Sequence, residues 1–490
     1  MDNLKARMEQ IEGVIARGPY SDNWESLSRW RAPQWFNDLK FGIFIHWGVY
    51  SVPAFANEWY PRCMYIQGSK EFEHHVQTYG PHAQFGYKDF IPLFKAEKFD
   101  PDAWAEQFRR AGARYVVPVA EHHDGFQMYK SDISHWNAYE MGPKRDVLGE
   151  LSAACRERGL VMGASSHRIE HWFFMGHGRE FDSDIHEPLK RGDLYWPAMP
   201  EPDFQDLDSQ PAPSEEFMQD WLARTCEIID RYQPWILYFD WWIQHSAAKP
   251  WLKKLAAYYY NRAAEWGLEA VITYKHDAFL FGTALPDVER GQFADVKPWY
   301  WQTDTAIARN SWCYTEGNVF KSAAELVCNL VDAVSKNGCL LLNVGPKSDG
   351  TISDEDAKVL DGIGAWLRVN GEAIYGARTW RKPAEGPTTM AEGQFADGAA
   401  TPYTQKDFRF TTAGGALYAV ALGQSASGEY TIESLGEQDA SRQANFHGII
   451  RDVRVLGAEE APVWNRDAQG LHIRTGFRSD LPVTFKIRID

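Results

Sequence analysis

The stretch Pro234–Trp242, PWILYFDWW, runs through large apolar residues to a single carboxylate, Asp240, flanked by indoles. Five apolar or aromatic residues in succession suit a parallel strand covered on both faces. A carboxylate where such a strand ends stands at the mouth of a pocket. Strand-end aspartates also serve as caps or arginine partners. The neighbouring Trp241 and Trp242 favour a different use, because the C–H faces of a pyranose stack on indole while a carboxylate meets the reactive carbon.

Working outward, the segment Ser214 to Tyr232 opens with Glu215 and Glu216 and carries Phe217, Trp221, Leu222, Thr225, Ile228 and Ile229 on one stripe. It reads as the amphipathic helix that delivers the chain into the Asp240 strand. The same unit of strand, polar tip and helix recurs upstream at FGIFIHWG (Phe41–Gly48), YVVPVAEHHDGF (Tyr115–Phe126) and LVMGASSH (Leu160–His167). Downstream it recurs at AVITYKH (Ala270–His276), around VERGQ (Val288–Gln292), at WYWQTDTAI (Trp299–Ile307) and at CLLLNVGP (Cys339–Pro346). About eight strands, each followed by a helix or a long loop, predict a (β/α)8-like TIM barrel. A doubly wound sheet is the runner-up, but the sequence has no glycine-rich phosphate turn. Two long loops, from Val49 to about Asp89 and from His171 to Pro213, belong on the active face.

A helix beginning at Ser353, with Asp356 as partner in a capping box, closes the first unit near Tyr375. Beyond it the period changes from 3.6 to 2. Short strands at Asp407–Thr412, Ala416–Gly423, Glu429–Leu435, Ile449–Gly457, Leu471–Gly476 and Val483–Ile489 predict an antiparallel β-sandwich. The expected division is a barrel with an N-terminal helix over 1–375 and a sandwich over 376–490.

The 490 residues carry 51 Lys+Arg against 67 Asp+Glu, a net charge of −16 that repels phosphate backbones and anionic lipid alike. Neither nucleic acid nor membrane is an expected partner; a homo-oligomer is allowed. The 21 tryptophans favour a ligand with faces to stack on. The charged start, MDNLKARMEQIEGVIARG, lacks the apolar core of a secretory signal. A cytoplasmic location is expected, the alternative being export with the leader already removed. The six cysteines show no metal spacing and read as reduced packing residues.

Thirteen of the 15 histidines fall between His46 and His276, several at strand ends. Glu121, His122, His123 and Asp124 suggest a ligand cluster, but consecutive residues of an extended strand point to opposite faces, so no metal is expected there. Hydroxyl-binding histidines, or histidines satisfied within the core, are the other readings.

FGIFIHWG, NEWY (Asn57–Tyr60), EHHDGF, YFDWW, LLLNVGP and NGEAIYG (Asn370–Gly376) occur in an order and at spacings that resemble the α-L-fucosidases of glycoside hydrolase family 29, over about Trp30 to Tyr375. The resemblance implies a retaining mechanism without cofactor, with Asp240 as nucleophile. It also implies that His46, Glu58, Trp59, His122 and His123 hold the fucose hydroxyls; Tyr238 and Trp301 are further substrate-binding candidates. Glu289, in DVERGQ, best resembles the general acid/base; Glu170 and Glu316 are its rivals, and Arg290 is the candidate for an arginine between the two carboxyls. The chain departs from the family pattern at Ser165, Ser166 and His167 and at Trp301, Gln302 and Thr303. The expected substrate is a fucosylated oligosaccharide or glycoconjugate cut from its terminus. A related α-L-galactosidase and a catalytically silent carbohydrate-binding protein are the alternatives.

Overall fold

A computed structural model describes residues 3–186, 188–204, 206–397, 401–438 and 446–490. Eight parallel strands close a barrel in sequence order: β1 (Phe41–Ile45), β2 (Tyr115–Glu121), β3 (Val161–Ser166), β4 (Ile236–Phe239), β5 (Val271–Tyr274), β6 (Leu285–Glu289), β7 (Trp301–Ala306) and β8 (Gly338–Val344). Closure comes from β1 pairing with β8, Phe41 opposite Leu340 and Ile45 opposite Val344. Nearly every strand residue is buried, as the unbroken apolar runs require of strands covered on two faces.

The helices start where their caps place them. Ser214 accepts a hydrogen bond from the Phe217 N–H at the head of helix Glu215–Tyr232, and Gln233, at φ 46°, ends it. Ser353 does the same for Asp356 before helix Asp354–Asn370. Among the described residues no α-helix intervenes between β5 and β6 or between β6 and β7. The barrel therefore departs from a regular (β/α)8 repeat where the sequence periodicity is weakest.

Eight further strands follow: β9 (Arg378–Glu385), β10 (Phe408–Ala413), β11 (Ala416–Ala421), β12 (Glu429–Ile432), β13 (Ile450–Val455), β14 (Val463–Asp467), β15 (Gly470–Arg474) and β16 (Val483–Ile489). They form a five-stranded sheet ordered β13-β16-β11-β10-β9 and a three-stranded sheet ordered β12-β15-β14, sharing a core of Phe408, Phe410, Tyr430, Ile473 and Phe485. The sequence reading omits β9 and β14. Both are edge strands of polar sequence with no fully buried residue, so neither shows the apolar alternation of a half-buried strand.

The sandwich docks on the helices after β7 and β8. Trp366 donates its indole N–H to the Pro482 carbonyl at 2.7 Å, and Arg409 pairs with buried Asp332. No helix among the described residues is long and apolar enough to cross a membrane.

Candidate active site

Inside the barrel a polar layer takes the place of an apolar plug. Lys275 of the β5 end, fully buried, donates to Asp287 at 2.7 Å and Asp304 at 2.8 Å. Tyr238 donates to Asp304 at 2.6 Å, Gln302 to Asp287 at 2.7 Å, and Tyr115 to Gln302 at 3.0 Å. Every polar atom named there has a partner, so the layer forms a rigid floor. Above it the strand ends surround a cavity of about 300 Å³.

Of the four carboxyls that line this cavity, Glu58, Glu170, Asp240 and Glu289, the last two stand in opposite electrostatic settings. Asp240 follows β4 directly. Its Oδ2 receives the His167 Nδ1–H at 2.9 Å, and His123 Nε2 lies at 3.5 Å. Burial alone would raise the Asp240 carboxyl, but the two histidines outweigh it and hold it well below the usual range. Glu289 ends β6. Burial pushes it up, Lys275 at 3.5 Å opposes, the Asp240 charge adds to the rise, and the result is about 7. The Trp241 indole donates to its Oε2 at 2.5 Å. Glu170 also lines the cavity and is raised to about 8 by burial, with His123 opposing at 3.6 Å. The third acid named from sequence, Glu316, is exposed, and its main-chain N–H bonds Ala54, away from the cavity.

The histidines divide by charge. Asn343 at the β8 end gives its amide N–H to the Trp312 carbonyl at 2.6 Å, which turns its oxygen toward His46 Nδ1 at 2.7 Å. His46 is thereby protonated at Nδ1, with Nε2 left as an acceptor. Burial holds His46 and His122 well below the ordinary imidazole value, hence neutral. For His123 burial is outweighed by Glu170 and Asp240, which push it up to about 9. His122 Nδ1 is buried without a hydrogen-bond partner.

Glu58 and Trp59 arrive on the long loop after β1. Glu58 Oε2 accepts the Trp312 main-chain N–H at 2.8 Å, which ties this loop to the one after β7. Tyr238 lines the cavity with its ring while its hydroxyl belongs to the floor. Of the residues named from sequence, the cavity brings together Asp240, Glu289, His46, Glu58, Trp59, His122, His123 and Tyr238.

Three readings are corrected. Trp301 lies at the opposite end of the barrel: it is the first residue of β7, 0% exposed, packs on Val288 and Ala333, and donates its indole N–H to Lys336. His122 and His123 do not point to opposite faces of a strand, because β2 ends at Glu121 and both imidazoles turn into the cavity, 4.2 Å apart. One nitrogen each from His46, His122 and His167 lies close enough for a single ion, as do His123, His167 and Asp240. Several of those nitrogens are already engaged: His167 bonds Asp240 and Ser165, and His46 bonds Asn343. Arg290 does not bridge the carboxyls. Its guanidinium holds the carbonyls of Ala308 and Ser311 and lies 4.5 Å from the Trp312 ring, and the cation beside Glu289 is Lys275, at 3.5 Å.

The sequence reading missed Phe44, Phe204, Trp312 and Phe395 as cavity walls and left His167 without a role. His167 was signalled by its place at the end of the β3 pattern. Phe395 had no signal, since it comes from a loop beyond the barrel.

The known proteins most informative here are similar along nearly all of the barrel. Human plasma alpha-L-fucosidase is 33% identical over 383 residues, 74% of this chain and 73% of that protein. Tissue alpha-L-fucosidase of Rattus norvegicus is 29% identical over 477 residues, 93% of this chain and 88% of that protein. The crystal structure of Thermotoga maritima alpha-fucosidase in complex with fucose superposes with a TM-score of 0.72 at 31% identity, covering 96% of this chain and 100% of that one. The alpha-L-fucosidase family profile matches residues 8–372, a span that includes all eight barrel strands, and the chain belongs to that family.

Proposed function

We propose that this chain is an exo-acting, retaining α-L-fucosidase that releases terminal α-L-fucose from glycoconjugates through a covalent glycosyl-enzyme. The observation that carries this reading is the opposed protonation of two carboxyls on one cavity: Asp240 ionised, Glu289 raised to about 7. Glycoside hydrolysis needs such a pair, and the retaining course is what the family resemblance implies. The small cavity, at the low end of the roughly 300–1,000 Å³ of ligand pockets, suits a single terminal sugar.

In the first step an Asp240 oxygen bonds to the anomeric carbon as the glycosidic C–O bond breaks, and the Glu289 proton passes to the departing oxygen. Asp240 is then an ester and carries no charge. The Asp240 contribution that raised Glu289 vanishes while Lys275 stays, so Glu289 becomes more acidic and persists as the carboxylate. It takes a proton from water, the hydroxyl bonds to the anomeric carbon, and Asp240 departs as carboxylate. Neutral His46 and His122 accept from or donate to the sugar hydroxyls, Glu58 accepts, and Trp59 offers a face.

The test is Asp240→Gly with an aryl α-L-fucoside. It should be nearly inert and regain turnover with azide, giving β-L-fucosyl azide, while the wild type releases the α-anomer of fucose first by NMR. Near-normal turnover of the variant, or a first-formed β-anomer, would overturn the proposal.

A further inference from the structure

The chain between β9 and β10 leaves the sandwich and reaches the barrel mouth. Gly393 and Gln292 exchange main-chain hydrogen bonds at 2.9 and 3.2 Å, Phe395 N–H donates to the Glu289 carbonyl at 2.9 Å, and Asp397 N–H to the Arg290 carbonyl at 3.1 Å. The Asp397 carboxylate then receives Thr305 and the fully buried Lys321 ammonium. So close an approach requires glycine at 291, where a Cβ would stand 1.9 Å from the Gly393 oxygen. Phe395 itself sits at φ 56°, an unfavourable region for a residue with a side chain, and the bonds on both sides hold it there.

This anchoring presents an aromatic ring to solvent. Phe395 lines the cavity yet is 54% exposed, its ring 5.8 Å from that of Trp241 and tilted 32° to it. Trp241 in turn donates to Glu289. The two rings therefore stand on the acid side of the cavity. Whatever leaves from the anomeric carbon must pass there, because its oxygen takes the Glu289 proton.

We infer that Phe395, carried by the C-terminal part of the chain that holds the sandwich, is a specificity-determining residue for the leaving group, and that with Trp241 it forms a platform for the C–H face of a sugar ring next to the cleaved bond. The inference rests on the fucosidase reading above and adds the preferred substrate class: fucosides whose aglycone is itself a pyranose. Aromatic rings held apart by a rigid backbone and open to solvent suit a ring that stacks, and they gain little from a small leaving group.

Two substrates separate the platform from the chemistry. An α-L-fucosyl disaccharide and methyl α-L-fucoside both need a proton from the acid, but only the first presents a ring. In Phe395→Ala the ratio of kcat/KM for the disaccharide to kcat/KM for the methyl fucoside should fall about tenfold, ~1.4 kcal/mol, and Phe395→Trp should restore it. An unchanged ratio in Phe395→Ala, with both substrates still hydrolysed, overturns this inference alone. A wild-type protein that hydrolyses neither substrate overturns the fucosidase reading and this one with it.

Discussion

Replacing Trp241 with Phe removes one N–H and keeps an aromatic ring, which makes it a probe of which carboxyl is the acid. The indole donates to Glu289 Oε2 at 2.5 Å and so stabilises the ionised form. A hydrogen bond to a charged group contributes about 1.5–3 kcal/mol. Water reaches part of Glu289, whose side chain is 10% exposed, and offsets some of the loss. Taking the lower end, ~1.5 kcal/mol corresponds to about one pH unit. The acid works protonated, so activity falls as pH rises through its pKa of about 7. Without the indole donor the ionised form is less favoured, and the fall moves to higher pH by about one unit. The assay is the pH dependence of kcat/KM for an aryl fucoside, wild type against variant, which reports the free enzyme whatever the variant loses in absolute rate. An alkaline limb that stays in place would refute the assignment and shift it to Glu170, which lies against His123 instead. A limb that moves to lower pH would contradict the electrostatics altogether.

Three other outcomes are expected. His46→Ala and His122→Ala should each lower kcat/KM by one to a few powers of ten, about 1.4 kcal/mol per power; unchanged kinetics would make that histidine a packing residue. Trp301→Phe should leave KM unaltered and lower stability to urea by about 1 kcal/mol through the lost bond to Lys336; a raised KM would return Trp301 to the substrate. Ending the chain after Tyr375 removes Arg409 from Asp332, which keeps Lys336 at 2.7 Å as a partner, and uncovers the helix faces under the sandwich, so the fragment should unfold at a lower temperature than the full chain. A fragment as stable as the full chain in thermal unfolding would count against that.

What could be read from the chain follows from how each feature is written in it. β1, β4 and β8 are apolar runs buried on both faces, and Asp240 and His46 stand out because polarity begins abruptly where such runs end. Direction along the strand decides the rest. Trp301 belongs to an aromatic, strand-like segment as Tyr238 does, but it opens its strand, and the cavity is lined from the closing ends of the strands and the loops beyond them. The two adjacent histidines were misjudged by one position, since alternation holds only while the strand lasts and β2 stops at Glu121. β9 and β14 are hidden by the charges that protect an edge. Phe395 is beyond sequence reasoning of this kind: an exposed phenylalanine in an aperiodic loop gains meaning only through the main-chain bonds to Glu289 and Arg290.

The pairing of Phe41 with Leu340 also has a consequence for biosynthesis. A ribosome that has made both acids has still made no enzyme. β1 keeps an open edge until β8 emerges, and at about 5–20 residues per second that wait is on the order of tens of seconds. Closing so long a loop is entropically slow to reward, and the waiting edge is a place where nascent chains can pair with each other. A chain released before β8 would carry Asp240 and Glu289 on an open sheet, without the closed barrel that positions them. Appearance of activity during translation would then mark the arrival of β8 rather than the synthesis of either acid.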